Sequence, residues 1–316
     1  MKTTASQLAD QPKSAGKTTA AKRNFKLHPV VIYPFKQPGD YSDLEPLYET
    51  IAQLDADKER YTRPITVMDR KTCMAMNNSK DFLEFKRGTV AKHSDVLDVW
   101  CVDTCQMWYS GLGTAFDQGE AGDVYWLIPG DFNYGSQAGK EVLANLSRLP
   151  QAVCGEQQDL CIGEITMHVE SSKQMIDTYG TFALLYNWFP VEARRIRQIT
   201  MRPRSEFFAI GHGFLHDVLR QRWYAYEQTT IMLLLAVFSN KHVGQLSVGD
   251  ISDLPLGTES LASAIIQIER IEWALKNFWL ERNQPMVGLV ENYRVLQAQS
   301  EQVRRTAQIL LQNVLA

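Results

Sequence analysis

The sequence contains no long apolar run and no excess of positive charge. A membrane-spanning helix needs about 18 or more consecutive apolar residues, and the nearest candidate, Ile231–Phe238, is short enough to be a core helix. The 316 residues include 33 basic and 36 acidic side chains, which gives a net charge of −3. This balance argues against a nucleic-acid-binding or bulk membrane-binding surface. The sequence therefore predicts a globular protein with no membrane span and no nucleic-acid partner.

Cysteine is scarce, and its spacing is not that of a metal site. The chain has five cysteines, and the closest two, Cys101 and Cys105, form a CxxxC pattern rather than the paired CxxC pattern of a structural zinc site. Residues Met1–Lys26 contain few large apolar residues and no apolar stretch of the kind found in secretory signals. We therefore expect reduced thiols, a cytoplasmic protein and a flexible N-terminal tail.

The sequence does contain an alternation of short apolar runs with segments of helical periodicity. Helical segments such as Leu44–Leu54 and Gln228–Phe238 separate the strand candidates, which is typical of an α/β fold. The predicted strands are Val30–Tyr33, Ile65–Met68, Val96–Val102, Val124–Ile128, Leu160–Thr166 and Val243–Val248.

Glycine and proline predict breaks in two helical segments. The segment Gln106–Gln118 contains Gly111-Leu112-Gly113, which predicts an interruption. The long stretch Ser172–Ile196 contains Pro190, which must end or kink it. We therefore expect neither segment to be one straight helix.

The C-terminal segment Val287–Leu315 repeats with a period of seven residues. Leu289, Leu296, Val303 and Leu310 form one line, and Tyr293, Ser300, Ala307 and Val314 form a second line four residues further on. Such a stripe predicts a helix–helix contact, either within the chain or with a second copy. A contact within the chain is favoured because Ser300 and Ala307 are weak positions for a free-standing coiled coil, and a homo-oligomer is the alternative.

The stretch Val124–Gly135, VYWLIPGDFNYG, combines an apolar strand with an acidic side chain. Five strand-forming residues are followed by Pro129-Gly130 and then by Asp131. A continuous apolar run is typical of a strand buried on both faces of a parallel sheet, and ligands bind at the carboxyl ends of such strands. Asp131 is therefore the residue that we expect to face a ligand. The alternative is an ordinary turn, since proline, glycine and aspartate are all common in turns.

A histidine pair provides a second metal candidate. His212 and His216 are four residues apart, a spacing that can bind a metal ion on one face of a helix. The intervening residues lack the glutamate of a metalloprotease motif. This pair is therefore more simply explained without a metal.

Four parts of the chain carry a family resemblance that spans about residues 30–253. They are VVIYPFK at 30–36, SGLGTAFDQG at 110–119, VYWLIPGDFNYG at 124–135, and RPRSEFFAIGHGFLHDVL at 202–219 with WYAYEQTTIMLLL at 223–235. In this order they resemble the first strand and nucleotide loop, the donor-loop helix, the metal-motif strand and the acceptor side of the GT-A glycosyltransferases. The resemblance is greatest to the retaining branch that contains mannosylglycerate synthase and glucosyl-3-phosphoglycerate synthase.

The resemblance implies an α/β fold of GT-A type, with a mixed, mostly parallel sheet flanked by helices. It places a nucleotide-sugar-binding domain at residues 27–256, between the tail at 1–26 and a C-terminal helical extension at 257–316. The implied activity is the transfer of a sugar from a nucleoside-diphosphate sugar to an acceptor hydroxyl, with retention of configuration. The acceptor is not specified by any motif.

The implied chemistry assigns roles to individual residues. The departing pyrophosphate develops negative charge, which a divalent metal or nearby cations must stabilise. We predict catalytic roles for Asp131, Glu206 and Glu227, and Mg²⁺ or Mn²⁺ binding by Asp131 with Asn133. The predicted donor-binding residues are Pro34, Phe35, Lys36, Gly111, Gly113, Arg202 and Arg204. Structural alternatives remain: Glu206 can form an ion pair with Arg204, and Glu227 suits any helix N-terminus.

Two departures from the family pattern favour a different interpretation. Pro129 stands where the family has the first aspartate of its metal motif. The segment Val248–Leu256, VGDISDLPL, has no counterpart of the family's late metal-binding histidine, although Asp250 and Asp253 offer carboxylates. The alternative is a catalytically degenerate nucleotide-sugar-binding or scaffold protein that assembles through its C-terminal helix. A nucleotidyltransferase is disfavoured because no glycine-rich phosphate loop with a paired lysine follows the first strand.

Overall fold

A seven-stranded sheet forms the centre of the molecule in the computed structural model. The structure describes residues 25–33, 44–54, 60–76, 79–100, 105–155, 157–166, 175–221, 227–251, 261–283, 301–302 and 304–305. The strands are β1 (Leu27–Tyr33), β2 (Ile65–Asp69), β3 (Asp95–Val99), β4 (Val124–Pro129), β5 (Leu160–Thr166), β6 (Phe208–Gly211) and β7 (Val243–Asp250).

Helices connect and cover the strands. The helices of the first half are α1 (Leu44–Leu54), α2 (Arg70–Ala75), α3 (Lys80–Glu84), α4 (Ala91–His93), α5 (Cys105–Gln118), α6 (Gln137–Leu146) and α7 (Arg148–Gly155). Those of the second half are α8 (Thr181–Trp188), α9 (Pro190–Ile199), α10 (His212–Arg220), α11 (Gln228–Phe238) and α12 (Leu261–Asn283). Two π-helical segments, Phe85–Val90 and Met175–Gly180, precede α4 and α8.

The strand order is β3-β2-β1-β4-β6-β5-β7, and β6 runs against both of its neighbours. The other adjacent pairs are parallel. The amino end of β6 therefore lies at the same edge of the sheet as the carboxyl ends of all the other strands. This arrangement confirms the predicted mixed, mostly parallel α/β sheet flanked by helices.

The centre of the sheet is buried on both faces, whereas the outermost strands β3 and β7 are partly exposed. Alternate residues of β1 belong to different cores, because Val30 and Ile32 pack with α5 whereas Val31 and Tyr33 pack with α1 and α6. The strand β4 is buried at each of its six positions. Burial on both faces explains why the central strands appear in the sequence as continuous apolar runs rather than as alternating apolar and polar residues.

The structure corrects two predictions of local structure. The sequence pattern predicted no strand at Phe208–Gly211, where β6 is found; four residues are too few for a clear periodic signal, and both partners of β6 are distant in sequence. The predicted interruption of α5 is also wrong. A side chain on Gly111 would come within 2.7 Å of Val30 and 2.6 Å of Val67, so glycine lets an unbroken helix pack closely on the sheet.

Other predictions hold in this structure. Pro190 divides the long helical stretch, with α8 ending at Trp188 and α9 beginning at the proline. Among the described residues, no helix has both the length and the apolar character needed to cross a membrane. The predicted tail, apart from Phe25 and Lys26, lies outside the described residues. So does the predicted C-terminal helix, apart from residues 301–302 and 304–305.

Candidate functional site

Asp131 lies at the carboxyl edge of the sheet, beside the end of β1. The pairing of β1 with β4 reaches Ile32 opposite Pro129, and the Gly130 N–H donates to the Ile32 carbonyl at 2.6 Å. Asp131 is half-buried, and it has no hydrogen bond or ion pair with another described residue. The residues Pro34–Lys36, predicted to bind the nucleotide, follow β1 directly but lie outside the described residues.

The loop after Asp131 is fixed by its own side chains. The Tyr134 hydroxyl donates to the Pro129 carbonyl at 2.7 Å. The Asn133 side-chain oxygen accepts from the Ser136 N–H at 3.2 Å, and Ser136 caps α6. Asn133 thus serves a turn in this structure, and its predicted role as a metal ligand remains a prediction. The loop presents Asp131 from a fixed backbone.

The amino end of β6 brings Glu206 to the same edge as Asp131. The pairing of Leu127 with Phe208 sets this register, and the rings of Phe132 and Phe207 lie 5.3 Å apart. Between these segments is a small depression that is partly open to solvent. It is lined by Phe132, Ile165, Arg202, Arg204, Ser205, Glu206, Phe207 and Ile251. The motifs at residues 124–135 and 202–219, distant in sequence, therefore meet at one site.

Tyr134 reports on the electrostatics of this site. Burial raises the pKa of its phenol well above the ordinary value, and the charges of Asp131 and Glu206 raise it further. The phenol therefore stays neutral and donates to Pro129. Both carboxylates therefore lie near enough to Tyr134 for their charges to act on its phenol.

Two buried arginines bring positive charge to the depression. Arg202 is 5% exposed and Arg204 is 7% exposed. The Arg202 guanidinium donates a long hydrogen bond of 3.4 Å to the Thr178 hydroxyl, and no described carboxylate pairs with it. The Arg204 guanidinium donates to the side-chain oxygen of Gln267 on α12. A guanidinium is suited to bidentate recognition of phosphate or carboxylate, so these side chains can hold an anionic ligand.

The backbone between the arginines is held against β5. The Ser205 hydroxyl donates to the Gly163 carbonyl at 2.8 Å, and the Gly163 N–H donates to the Phe207 carbonyl at 2.7 Å. A side chain at Gly163 would meet Phe207 at 2.7 Å, so the close approach requires glycine. The arginines therefore extend from a rigid segment.

Asp131 and Asn133 flank Phe132 but do not themselves line the depression, and three further predicted site residues do not line it either. Glu227 is 2% exposed, precedes α11 and lies 3.7 Å from the Arg270 guanidinium. Gly111 is packed between Val30 and Val67 inside α5, and Gly113 lies two residues further along that helix. Their predicted contacts with a donor remain predictions, although packing alone accounts for Gly111.

The histidine pair lies at the opposite edge of the sheet. His212 begins α10, and its Nδ1 shares a hydrogen bond of 2.8 Å with the Tyr125 hydroxyl. Burial lowers the pKa of His212. Among the described residues, no group of three or more histidine, cysteine or acidic side chains is placed to hold a metal ion. In this structure His212 is engaged in a hydrogen bond with Tyr125.

Sequence reasoning missed Thr178 and Gln267. Thr178 contacts Arg202 from 24 positions away, and Gln267 contacts Arg204 from 63 positions away. Neither a threonine nor a glutamine at such a distance belongs to a local motif. Only the folded chain brings them to the site.

The strand order, the single reversed strand and the position of the depression define an α/β fold of GT-A type, as the sequence resemblance predicted. Solved structures with this fold include mannosyl-3-phosphoglycerate synthase from Rubrobacter xylanophilus, which is similar at a TM-score of 0.55 and 9% identity over 83% of this chain and 76% of that chain. Glucosyl-3-phosphoglycerate synthase from Mycobacterium tuberculosis, solved with Mg²⁺ and UDP, is similar at a TM-score of 0.50 and 15% identity over 82% of each chain. No protein-family model matches the sequence, and neither does any curated protein sequence.

Proposed function

We propose that this protein is a glycosyltransferase that moves a sugar from a nucleoside-diphosphate sugar to an acceptor hydroxyl with retention of configuration. The observation that carries the proposal is the depression at the carboxyl edge, which Glu206 and two buried arginines line and which Phe132, the neighbour of the half-buried Asp131, also lines. The GT-A-type fold, found also in two sugar synthases, supports the same reaction class. Fold alone does not define an activity, so the site is the stronger argument.

The donor would bind with its diphosphate beside Asp131. Pro34, Phe35 and Lys36 directly follow β1, whose end is paired with the end of β4, and would contact the nucleotide. Arg202 and Arg204 would balance the negative charge that develops on the leaving diphosphate. These cations act in a partly buried site, where they are less screened than on the surface.

Asp131 would also hold a divalent metal. A carboxylate suits this role because hard cations such as Mg²⁺ and Mn²⁺ prefer oxygen ligands. Among the described residues, however, Asp131 belongs to no group of three or more histidine, cysteine or acidic side chains that could hold a metal ion. Asp131 contributes a single carboxylate, so the diphosphate would have to supply other ligands. The complex of the similar Mycobacterium tuberculosis synthase with Mg²⁺ and UDP supports this arrangement. The metal would supply additional charge neutralisation for the leaving group.

Glu206 and Glu227 would act on the sugar and its acceptor. Glu206 lines the depression and would orient the acceptor hydroxyl. Glu227 is buried and forms an ion pair with the partly buried Arg270, so its contribution would come through the position of α11. The two buried arginines suit an acceptor that itself carries a phosphate or carboxylate, as the names of the two similar synthases imply for theirs.

A catalytically degenerate nucleotide-sugar-binding protein is the second candidate. The observation that favours it is Pro129, which provides only a carbonyl, already bonded to Tyr134, where the family has an aspartate. In that case the fold would bind nucleotide sugars without transferring them. Cytoplasmic location and assembly through the C-terminal helix remain predictions for both candidates.

Calorimetric titration with UDP- and GDP-sugars, with and without Mn²⁺, distinguishes the two functions. We expect binding that Mn²⁺ strengthens at least tenfold, together with release of free nucleoside diphosphate during incubation with 3-phosphoglycerate. Binding that does not depend on Mn²⁺ and is not followed by release of nucleoside diphosphate would support the catalytically degenerate binding protein. Absence of binding to either class of nucleotide sugar would reject both functions.

A further inference from the structure

The helix α12 reaches the candidate site from outside the predicted nucleotide-sugar-binding domain. Gln267 and Arg270 lie one turn apart on this helix and contact Arg204 and Glu227, respectively. The inner face of α12 is anchored in the core by Ile271 and other apolar side chains. Gln267 is therefore held by a rigid, packed element rather than by a loop.

The chemistry of Gln267 suits it to position a cation without neutralising it. Its side-chain oxygen accepts a hydrogen bond from Arg204 Nη2, and Gln267 itself is 2% exposed. A carboxylate of the same length would form a salt bridge in this buried place and would offset the charge of the guanidinium. An amide fixes the orientation of the guanidinium and adds no negative charge.

We propose that Gln267 is a positioning residue that holds Arg204 in the orientation needed to bind a phosphate group. This inference rests on the proposed function, because the phosphate belongs either to the nucleotide donor or to a phosphorylated acceptor. It adds that α12, part of the predicted extension at 257–316, helps to determine which anions the site accepts. The ligand chemistry in both cases is a phosphate presented to a buried guanidinium.

The test compares Gln267→Glu and Gln267→Met with the unaltered protein, using UDP, 3-phosphoglycerate and uridine as probes. UDP represents the donor phosphate, 3-phosphoglycerate represents an acceptor phosphate, and uridine carries no phosphate. We expect Gln267→Glu to weaken binding of at least one phosphate probe about tenfold or more, because the new carboxylate repels the ligand and pairs with Arg204. Gln267→Met keeps the volume and removes the hydrogen bond to Arg204, so we expect phosphate affinity to fall about threefold.

Two controls separate positioning from a general effect on folding. Asn283→Asp makes the same amide-to-acid change at an exposed position of α12 and should leave all three affinities unchanged. Uridine affinity should be the same in every variant, since a merely structural role would alter it too. In an Arg204→Ala background, Gln267→Met should have little further effect on phosphate binding, because Gln267 acts through Arg204.

The outcomes distinguish this inference from the proposed function. Phosphate affinities within twofold of the unaltered protein in Gln267→Glu would overturn the inference alone. An undiminished effect of Gln267→Met in the Arg204→Ala background would also overturn it. If Gln267→Glu fails to fold, Gln267→Met decides, and equal phosphate and uridine losses in it would overturn the inference. Failure of the unaltered protein to bind either phosphate probe would reject both the inference and the proposed function.

Discussion

The two edges of the sheet treat their acidic side chains in opposite ways. At the amino-terminal edge, Asp123 accepts hydrogen bonds from the Lys26 N–H at 2.8 Å, the Glu120 N–H at 2.9 Å and the His28 ring at 2.8 Å. At the carboxyl edge, Asp131 has no hydrogen bond or ion pair with another described residue. Asp123 is thus hydrogen-bonded within its own chain, whereas Asp131 is left available to a ligand.

This difference separates a structural acid from a functional one. Buried polar groups in folded proteins are nearly always satisfied, so a closed network such as that of Asp123 contributes to stability. An acid on a fixed loop that has no described hydrogen bond or ion pair is open to contact with a ligand. The same contrast applies to Arg202, which faces the depression with only Thr178 as a described polar partner.

The largest effect is expected from removing the charge of Asp131. We expect Asp131→Asn to lower the rate of sugar transfer at least 100-fold, which corresponds to about 2.7 kcal/mol of transition-state stabilisation. The melting temperature should change by no more than about 2 °C, because no described interaction is lost. Steady-state assay and calorimetric unfolding of the same preparation give both quantities.

An exposed acid provides the matched control for Asp131→Asn. Asp117 lies near the end of α5, so Asp117→Asn makes the same charge change and should leave both rate and melting temperature unaltered. Full transfer activity in Asp131→Asn would remove Asp131 from the mechanism. A large drop in melting temperature would mean that the acid has a structural role after all.

The next largest effect is expected from Asp123, the acid that is hydrogen-bonded within the chain. Asp123→Asn places an amide against two backbone N–H donors and removes the charge that faces His28. We expect the free energy of unfolding to fall by about 2–4 kcal/mol, the range for a broken buried polar network. The transfer rate of the folded fraction should stay within about twofold of the original. Urea unfolding and an assay at low temperature measure the two effects.

Asp123→Asn should therefore lower stability and spare the transfer rate, whereas Asp131→Asn should lower the transfer rate and spare stability. A loss of activity without a loss of stability at Asp123 would mean that the amino-terminal edge also takes part in the reaction. Unchanged stability would mean that the network of Asp123 is not worth more than the water contacts that it replaces.

The parts of the fold that could be predicted are those whose signal is local. The bounds of β5 and α11, Leu160–Thr166 and Gln228–Phe238, were predicted to the residue because both elements are almost wholly buried. An apolar run bounded by polar residues marks such elements whatever they pack against. β6 has only four residues, and its identity as a strand depends on β4 and β5, so the sequence offered no comparable signal.

The residues of the candidate site also differ in whether the local sequence predicts them. Asp131 and Glu206 occur in segments with a recognisable order along the chain, and the structure brings those segments together. The neutral partners of the arginines, Thr178 and Gln267, have no local pattern and could not have been predicted. Asn133 is an intermediate case: an asparagine three residues before a capping serine is typical of a turn, and that signal was present in the sequence.

The smallest expected effect is the pH dependence of the stability that Asp123 contributes. Burial raises the pKa of Asp123, but the hydrogen bonds from Lys26, Glu120 and His28 outweigh it and hold the pKa below the ordinary value. A carboxyl whose pKa is lower in the folded state stabilises the protein above its unfolded pKa of about 3.9, and this contribution is lost as the pH falls through the folded value. The stability gap between the unaltered protein and Asp123→Asn should therefore narrow as the pH is lowered from 7 to 3. Urea midpoints measured across this range would contradict the argument if the gap stayed constant, since the charge of Asp123 would then contribute nothing to the closed edge.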